Sequence, residues 1–304
     1  MSCWRDVHAK RKNGGKNMRR LNIAHVTEYQ FSTPVSLLPH RLRLRPLESH
    51  SLRIESSTLD ISPAHSLRWF QDVLGNSVAT VSFGDISNSL HVLSEVVIAV
   101  YDDAPLDFLM EDYAVDCPFE YVIDDLPDLA PFLQAVYPDD QALLHDWLED
   151  LGLLQWPIET FSLLSRLNCE IANKFTYQIR EEEGVQSPAQ TLRLNSGSCR
   201  DFAALFMEAC RSIGLASRFV SGYLHMPFNE EGNATTHAWA EVYLPGPGWK
   251  GFDPTSGLIT GNQHIPVAVA RHPEAVPPVS GSFIGPAGLL PALIVSVRVS
   301  DLGL

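Results

Sequence analysis

Residues 195–215, NSGSCRDFAALFMEACRSIGL, decide how this chain is read. Counting from Cys199, apolar side chains fall at Phe202, Leu205, Phe206, Ala209, Cys210 and Ile213. Those steps of three and four predict an amphipathic helix. Gly214 follows as the glycine that closes a helix. Asn195, Ser196, Gly197 and Ser198 precede it with N-cap chemistry. Cys199 therefore falls in the first helical turn, where unpaired N–H groups and the positive end of the helix dipole favour a thiolate. The same N–H groups can stabilise an oxyanion on an attacked carbonyl, an effect worth about 3–4 kcal/mol of activation energy. A lone cysteine is more often a small buried hydrophobe, and Cys210, on the apolar face of the same helix, fits that role better than Cys199.

The partners for such a thiol lie downstream, in TTHAWAEVYLPGPGWKGFDPTSG (235–257). Residues 236–244 alternate as a strand, with His237, Trp239, Glu241 and Tyr243 on one face. PGPG at 245–248 turns the chain, and WKGFD returns as a second strand. Cys199, His237 and Asp253 then supply, in that order, the thiol, imidazole and carboxylate of nucleophilic catalysis. The imidazole takes the thiol proton; the carboxylate fixes the tautomer and stabilises the imidazolium. Register sets a condition. A plain four-residue loop pairs Leu244 with Trp249 and puts Asp253 opposite Ala240, facing away from His237. The triad needs a one-residue shift, by a β-bulge or a three- or five-residue loop, so that Asp253 pairs with Trp239 or Glu241.

Upstream, LNIAHVTEYQF (21–31), LRIESSTLDI (52–61) and LHVLSEVVIAV (90–100) read as strands, and Gly75-Asn76 sits between two β-like runs as a hairpin signal. PHRLRLRP alternates Leu42 and Leu44 with Arg41, Arg43 and Arg45. Residues 21–104 therefore form a β-rich first domain, and 105–157 a proline-punctuated helical connector that packs on the second domain, with DDQALLHDWLEDLG ending in Gly152. Residues 158–304 form the second domain. It opens with a helix over 158–177 that puts Phe161, Leu164, Leu167 and Ile171 on one face. A Pro/Gly-rich stretch, 273–291, wraps the surface before a last strand, ALIVSVRV.

Charge narrows the partners. The net charge is −14, yet residues 1–20, read as a disordered tail, hold seven of the 22 Lys and Arg, leaving 15 bases against 35 acids in the rest. Such a body repels phosphate backbones, which argues against nucleic acid as a partner. From Trp69 to Ser165 there is no Lys or Arg. That stretch reads as a solvated acidic face, with a docking surface for a basic partner or a cation as the alternative. No apolar run approaches the roughly 18 residues of a membrane span, and the basic start lacks the apolar segment of a secretory signal. Five scattered cysteines, none paired at metal- or redox-motif spacing, fit reduced thiols in a cytoplasmic protein.

GSCRDFAALFMEACRSIGLASRFVSGYL, followed by THAWAEVYLPGPGWKGFDPTSG, resembles the transglutaminase-like superfamily, bacterial branch, whose members carry Cys-Arg-Asp-Phe-Ala, Thr-His-Ala-Trp-Ala-Glu-Val and Gly-Phe-Asp-Pro-Thr. HVTEYQFSTPVSLLPHRLRLRP resembles the β-rich N-terminal region of that branch, and HIPVAVARH and VPPVSGSF its C-terminal extension. The resemblance implies an α+β fold: a papain-like or transglutaminase-like core, its Cys-bearing helix on an antiparallel sheet, after a β-rich N-terminal domain. It implies Cys199 as nucleophile, His237 as base and Asp253 as orienting acid, acting on peptide or side-chain amides through a thioester, with water or an amine as acceptor. No cofactor or metal is expected. Two departures stand out: Ser198 before the cysteine, and Ala270-Arg271-His272-Pro273 where the family often has a Gly-Arg-Asp-Tyr-like stretch. Asp201 is expected to strengthen the helix start, and Arg200 either to pair with an acid or to be solvated at the surface. Trp239 and Tyr223 read as core residues before pocket residues. Tyr177 and Gln178 are the candidates for a second oxyanion donor.

Three other readings compete. A non-catalytic interaction module would keep the fold and use the β-rich domain and acidic stretch. A metal site on Cys199, His237 and Asp253 lacks a local ligand pair. Serine catalysis by Ser196 or Ser198 lacks a G-x-S-x-G elbow.

Overall fold

The computed structural model describes residues 18–101, 106–180, 182–225 and 233–303. The basic tail over 1–17 and the acids Asp102 and Asp103 lie outside them. The longer strands are β1 (Arg19–Leu37), β2 (His40–Leu42), β3 (Leu52–Ser62), β4 (His65–Gln71), β5 (Ser77–Phe83), β6 (Ile86–Val100), β7 (Ser217–His225), β8 (Asn233–Leu244), β9 (Gly248–Asp253), β10 (His264–Ala270) and β11 (Ala292–Asp301). The α-helices are α1 (Leu126–Leu133), α2 (Gln141–Asp150), α3 (Thr160–Lys174), α4 (Pro188–Leu194) and α5 (Cys199–Ser212).

The three strands read upstream in the sequence form where expected, as β1, β3 and β6, antiparallel in the order β1-β6-β3. Gly75 and Asn76 sit in the loop of the β4–β5 hairpin, which runs from His65↔Phe83 to Gln71↔Ser77. This hairpin and β2 make a small sheet against the larger one, with Leu37, Leu42, Leu44, Val81, Leu90 and Val92 buried between. The mixed helix and antiparallel-sheet architecture is the α+β class that the motifs imply.

The N-terminal strands and the helix-bearing core share one ten-stranded sheet. The last strand, β11, joins them: it runs antiparallel to β1 from Leu21↔Asp301 to Gln30↔Ala292 and touches the start of β8 at Asn233↔Arg298. A common core of Leu21, Ile23, Ile98, Tyr223, Ile265 and Val299 crosses the same seam. His25 ties it by hydrogen bonds to Tyr223 Oη (3.0 Å) and Thr27 Oγ1 (2.9 Å).

Helix α5 is central. Its end is the expected glycine cap: Gly214 adopts φ 83°, with Gly214 N–H donating to Arg211 O at 3.0 Å and Leu215 N–H to Cys210 O at 3.0 Å, a Schellman pair. The amphipathic pattern, however, does not give a solvated polar face. Every residue from Asp201 to Arg211 is buried. The polar stripe is covered by the connector, through a fully buried Glu208–Arg211 ion pair at 2.7 Å. Glu208 accepts from Val136 N (2.9 Å) and Tyr137 N (3.1 Å), while Arg211 donates to Phe132 O (3.0 Å), Ser217 O (2.7 Å) and Arg271 O (2.9 Å). Among the connector's acids, Asp107, Glu111, Asp112 and Asp116 are exposed, as a solvated face would have them.

Candidate active site

Cys199 is the first residue of α5, so its N–H belongs to the turn that lacks intrahelical acceptors. The approach to it is built rather than loose. Ser187 caps α4 with a Ser-x-x-Gln box, its Oγ accepting from Gln190 N–H at 3.3 Å and Gln190 Oε1 accepting from Ser187 N–H at 2.9 Å. Asn195 ends α4 in the left-handed region (φ 52°), and Ser196–Gly197 pairs in parallel with Thr176–Tyr177. A side chain at Gly197 would sit 2.8 Å from Asp201 Cβ, so the glycine is needed for close approach. Helix α4 was not predicted; its sequence signal was Ser187-Pro188 followed by Gln190.

Asp201 strengthens the helix start, as expected. Its Oδ2 accepts from Ser198 N–H and Ser198 Oγ at 2.8 Å each, and its Oδ1 from Arg180 Nη1 (2.7 Å) and Gln186 N–H (2.8 Å). Arg200 pairs with no acid among the described residues; its guanidinium donates to the backbone carbonyls of Arg180 (3.3 Å) and Glu182 (3.2 Å), while Arg180 takes the buried Asp201 carboxylate.

The register condition is met. β8 and β9 pair from Ala240↔Phe252 to Leu244↔Gly248, leaving a three-residue loop, 245–247. One further step of that register sets Asp253 opposite Trp239, on the face of His237. The connector braces this hairpin: Tyr121 Oη donates to Tyr243 O at 2.9 Å and accepts from Ala216 N–H at 2.9 Å.

His237 Nε2 lies 3.0 Å from Asp253 Oδ2, and the Cys199 side chain is close enough to His237 to favour its charged form. With Nε2 turned to the carboxylate, Nδ1 is the nitrogen left for the sulfur. Burial opposes the charged imidazolium, but the bond to Asp253, the nearby Cys199 side chain and their charges prevail and raise His237 to about 10. For Asp253, burial works toward the protonated form, yet bonds from His237 and then His264 hold the carboxyl well below the usual range. Thr255 N–H completes its shell at Oδ1, 3.0 Å.

His264, at the start of β10, is a residue that sequence reasoning missed. Its Nε2 reaches Asp253 Oδ2 at 3.2 Å, and Ser256 Oγ reaches the same oxygen at 2.8 Å. Three ligand atoms from His237, Asp253 and His264 lie within 4.8 Å of one another; the set with metal-like spacing at this site thus includes His264 rather than Cys199. Trp239 and Tyr223 are fully buried core residues, as read. Tyr177 is half exposed and close enough to Cys199 and Asp253 to feel their charge; Gln178 contributes its N–H to Gly197 O at 2.8 Å.

A thiol on a helix tip against a histidine and a carboxylate on adjoining antiparallel strands defines a cysteine-enzyme-like α+β scaffold. Residues 155–254 match the transglutaminase-like superfamily and residues 21–99 the bacterial transglutaminase-like N-terminal region, in the two-part order that the motifs imply. Uncharacterised proteins of Mycobacterium tuberculosis and Mycobacterium bovis are each 28% identical over 288 residues, spanning 86% of this chain and 87% of theirs. A structure of a candidate cysteine protease from Cytophaga hutchinsonii is similar in fold, with a TM-score of 0.74 at 20% identity, over 95% of this chain and 92% of its own. Among the described residues, no helix is long and apolar enough to cross a membrane.

Proposed function

We propose that the protein cleaves or transfers acyl groups from peptide or side-chain amides through a thioester on Cys199. The observation that carries this reading is that one buried imidazole, His237, is hydrogen-bonded to Asp253 and lies close enough to the Cys199 side chain to feel it. The sulfur, its proton held by His237, attacks the amide carbonyl and forms the C–S bond. The resulting oxyanion is met by the free N–H of the α5 tip. The His237 imidazolium returns its proton to the nitrogen as the C–N bond breaks, releasing an amine or ammonia. Water or an amine then attacks the thioester, His237 takes its proton, and the sulfur leaves with the acid or new amide formed. Asp253 keeps the ring oriented and stabilises its charged form throughout.

Iodoacetamide at neutral pH tests the nucleophile. Selective labelling of Cys199, lost in Cys199→Ala and slowed at least about tenfold in His237→Gln, is expected. Buried Cys117 and Cys210 should stay unlabelled. A panel of peptide amides, with and without a lysine-like amine, then assigns the acceptor. Ammonia release that rises with the amine marks transfer, and peptide cleavage without amine marks hydrolysis. No selective labelling and no amide turnover would leave a non-catalytic interaction module on this scaffold.

A further inference from the structure

Of the 15 Lys and Arg that follow residue 20 in this acidic chain, three meet at one place. Arg41, Arg43 and Arg271 line a cavity of about 470 Å³ between the small N-terminal sheet and the end of β10. None of the three has a carboxylate within ion-pair distance among the described residues. Arg43 Nε is buried without a hydrogen-bond partner. Burial pushes the Arg43 guanidinium down; Asp72 opposes that and the like charge of Arg41 adds to it.

Asp72, the acid on the cavity wall, is already engaged. Its Oδ1 accepts from Leu74 N–H (2.9 Å) and Asn76 N–H (3.0 Å), and its Oδ2 from Asn76 Nδ2 (2.8 Å). The wall is also fixed. Fully buried Asn76 bonds both Val269 O and Val269 N–H at 2.8 Å, which fastens the β4–β5 loop to β10. Phe70, Val73 and Val276 add apolar lining.

We propose that this cavity binds a small organic anion, an oxyanion group of carboxylate or phosphate type on an apolar body. Guanidinium groups from two walls suit a planar or tetrahedral oxyanion through forked hydrogen bonds. A ligand there supplies the acceptor that Arg43 Nε lacks and relieves the repulsion between Arg41 and Arg43. The cavity is separate from the thiol site. β10 begins at His264, beside Asp253, and reaches the cavity at Val269 and Ala270, a run of roughly 20 Å at about 3.3 Å per residue.

The test is thermal unfolding of the full chain at constant ionic strength, with phenyl phosphate, phenylacetate or inorganic phosphate. A saturable rise in Tm with at least one phenyl anion is expected, and the tighter of the two identifies phosphate or carboxylate as the group recognised. The apparent Kd should weaken at least tenfold in Arg43→Gln and in Arg41→Gln. Arg41 is exposed, so its variant tests the site even should Arg43→Gln fold poorly. Arg298→Gln, on β11, should bind as wild type, and the alkylation rate of Cys199 should stay within twofold on adding the anion. No saturable shift with any of the three anions, or an undiminished shift in Arg41→Gln and Arg271→Gln, overturns the proposal.

Discussion

His264 Nε2 lies 3.2 Å from Asp253 Oδ2, the same oxygen that receives His237 Nε2 at 3.0 Å and Ser256 Oγ at 2.8 Å. One carboxylate oxygen thus holds two imidazoles, one from β8 and one from β10. In the proposed mechanism His264 would act only through the carboxylate, as a positioning residue. His264→Ala is expected to lower kcat on a responsive amide about 10- to 100-fold with KM changed less than twofold, because Asp253 loses one of the contacts that fix it. His264→Gln, which keeps a donor, should recover part of the loss. A change confined to KM would contradict the positioning role.

The pH dependence of stability follows from His237 and Asp253. The His237 value is raised to about 10 in the folded state, against about 6.5 unfolded. Its contribution is therefore complete below about pH 6.5 and is lost as pH rises toward 10. Asp253 is shifted the other way, so its contribution is complete above its unfolded value of about 4 and is lost only in acid. The Tm difference between wild type and His237→Gln should be largest near pH 5–6 and shrink steadily from pH 7 to 10. A difference that grows over that alkaline range would reverse the assigned sign.

The Glu208–Arg211 pair is fully buried and joins α5 to the connector and to the end of β10. Arg211→Ala leaves a buried carboxylate without its partner and is expected to cost about 3–5 kcal/mol of unfolding free energy in urea titrations. Glu208→Gln combined with Arg211→Met should cost less than Arg211→Ala alone, since no buried charge is left unpaired. Equal losses in the two variants would place the cost in packing rather than in charge.

Gly222 faces His237 across the β7–β8 ladder and Pro266 across β7–β10. A Cβ there would collide with Ile265 O and come within 2.6 Å of Trp239 Cη2. Gly222→Ala must therefore push apart the two strands that carry His237 and His264. The expected outcome is a loss of about 1–3 kcal/mol in stability together with slower alkylation of Cys199. Unchanged labelling in a destabilised but folded variant would show that the strand spacing does not govern the site.

Much of the local structure was legible because short-range rules fixed it. The three-and-four spacing after Cys199 gave the helix, and Gly214 gave its end. Alternation gave β8. The need to bring Asp253 beside His237 gave a one-residue shift, which the three-residue loop supplies. The same rules left α4 unseen, although Ser187 and Gln190 announce it by their capping box. They did not reveal the partner of Asp201, which is Arg180, 21 residues away in sequence.

The sequence alone determined on which elements the thiol, imidazole and carboxylate ride, because helix and strand periodicity and turn geometry act over a few residues. It placed Cys199 at a helix tip and His237 and Asp253 on facing strands. Only the tertiary structure decided that Asp253 serves a second histidine, that the polar face of α5 is buried under the connector, and that β11 joins the N-terminal strands to the core in one sheet. Those outcomes depend on contacts between residues distant in the chain, where desolvated charges must find partners and sheet edges must pair, and no local pattern records which partner they find.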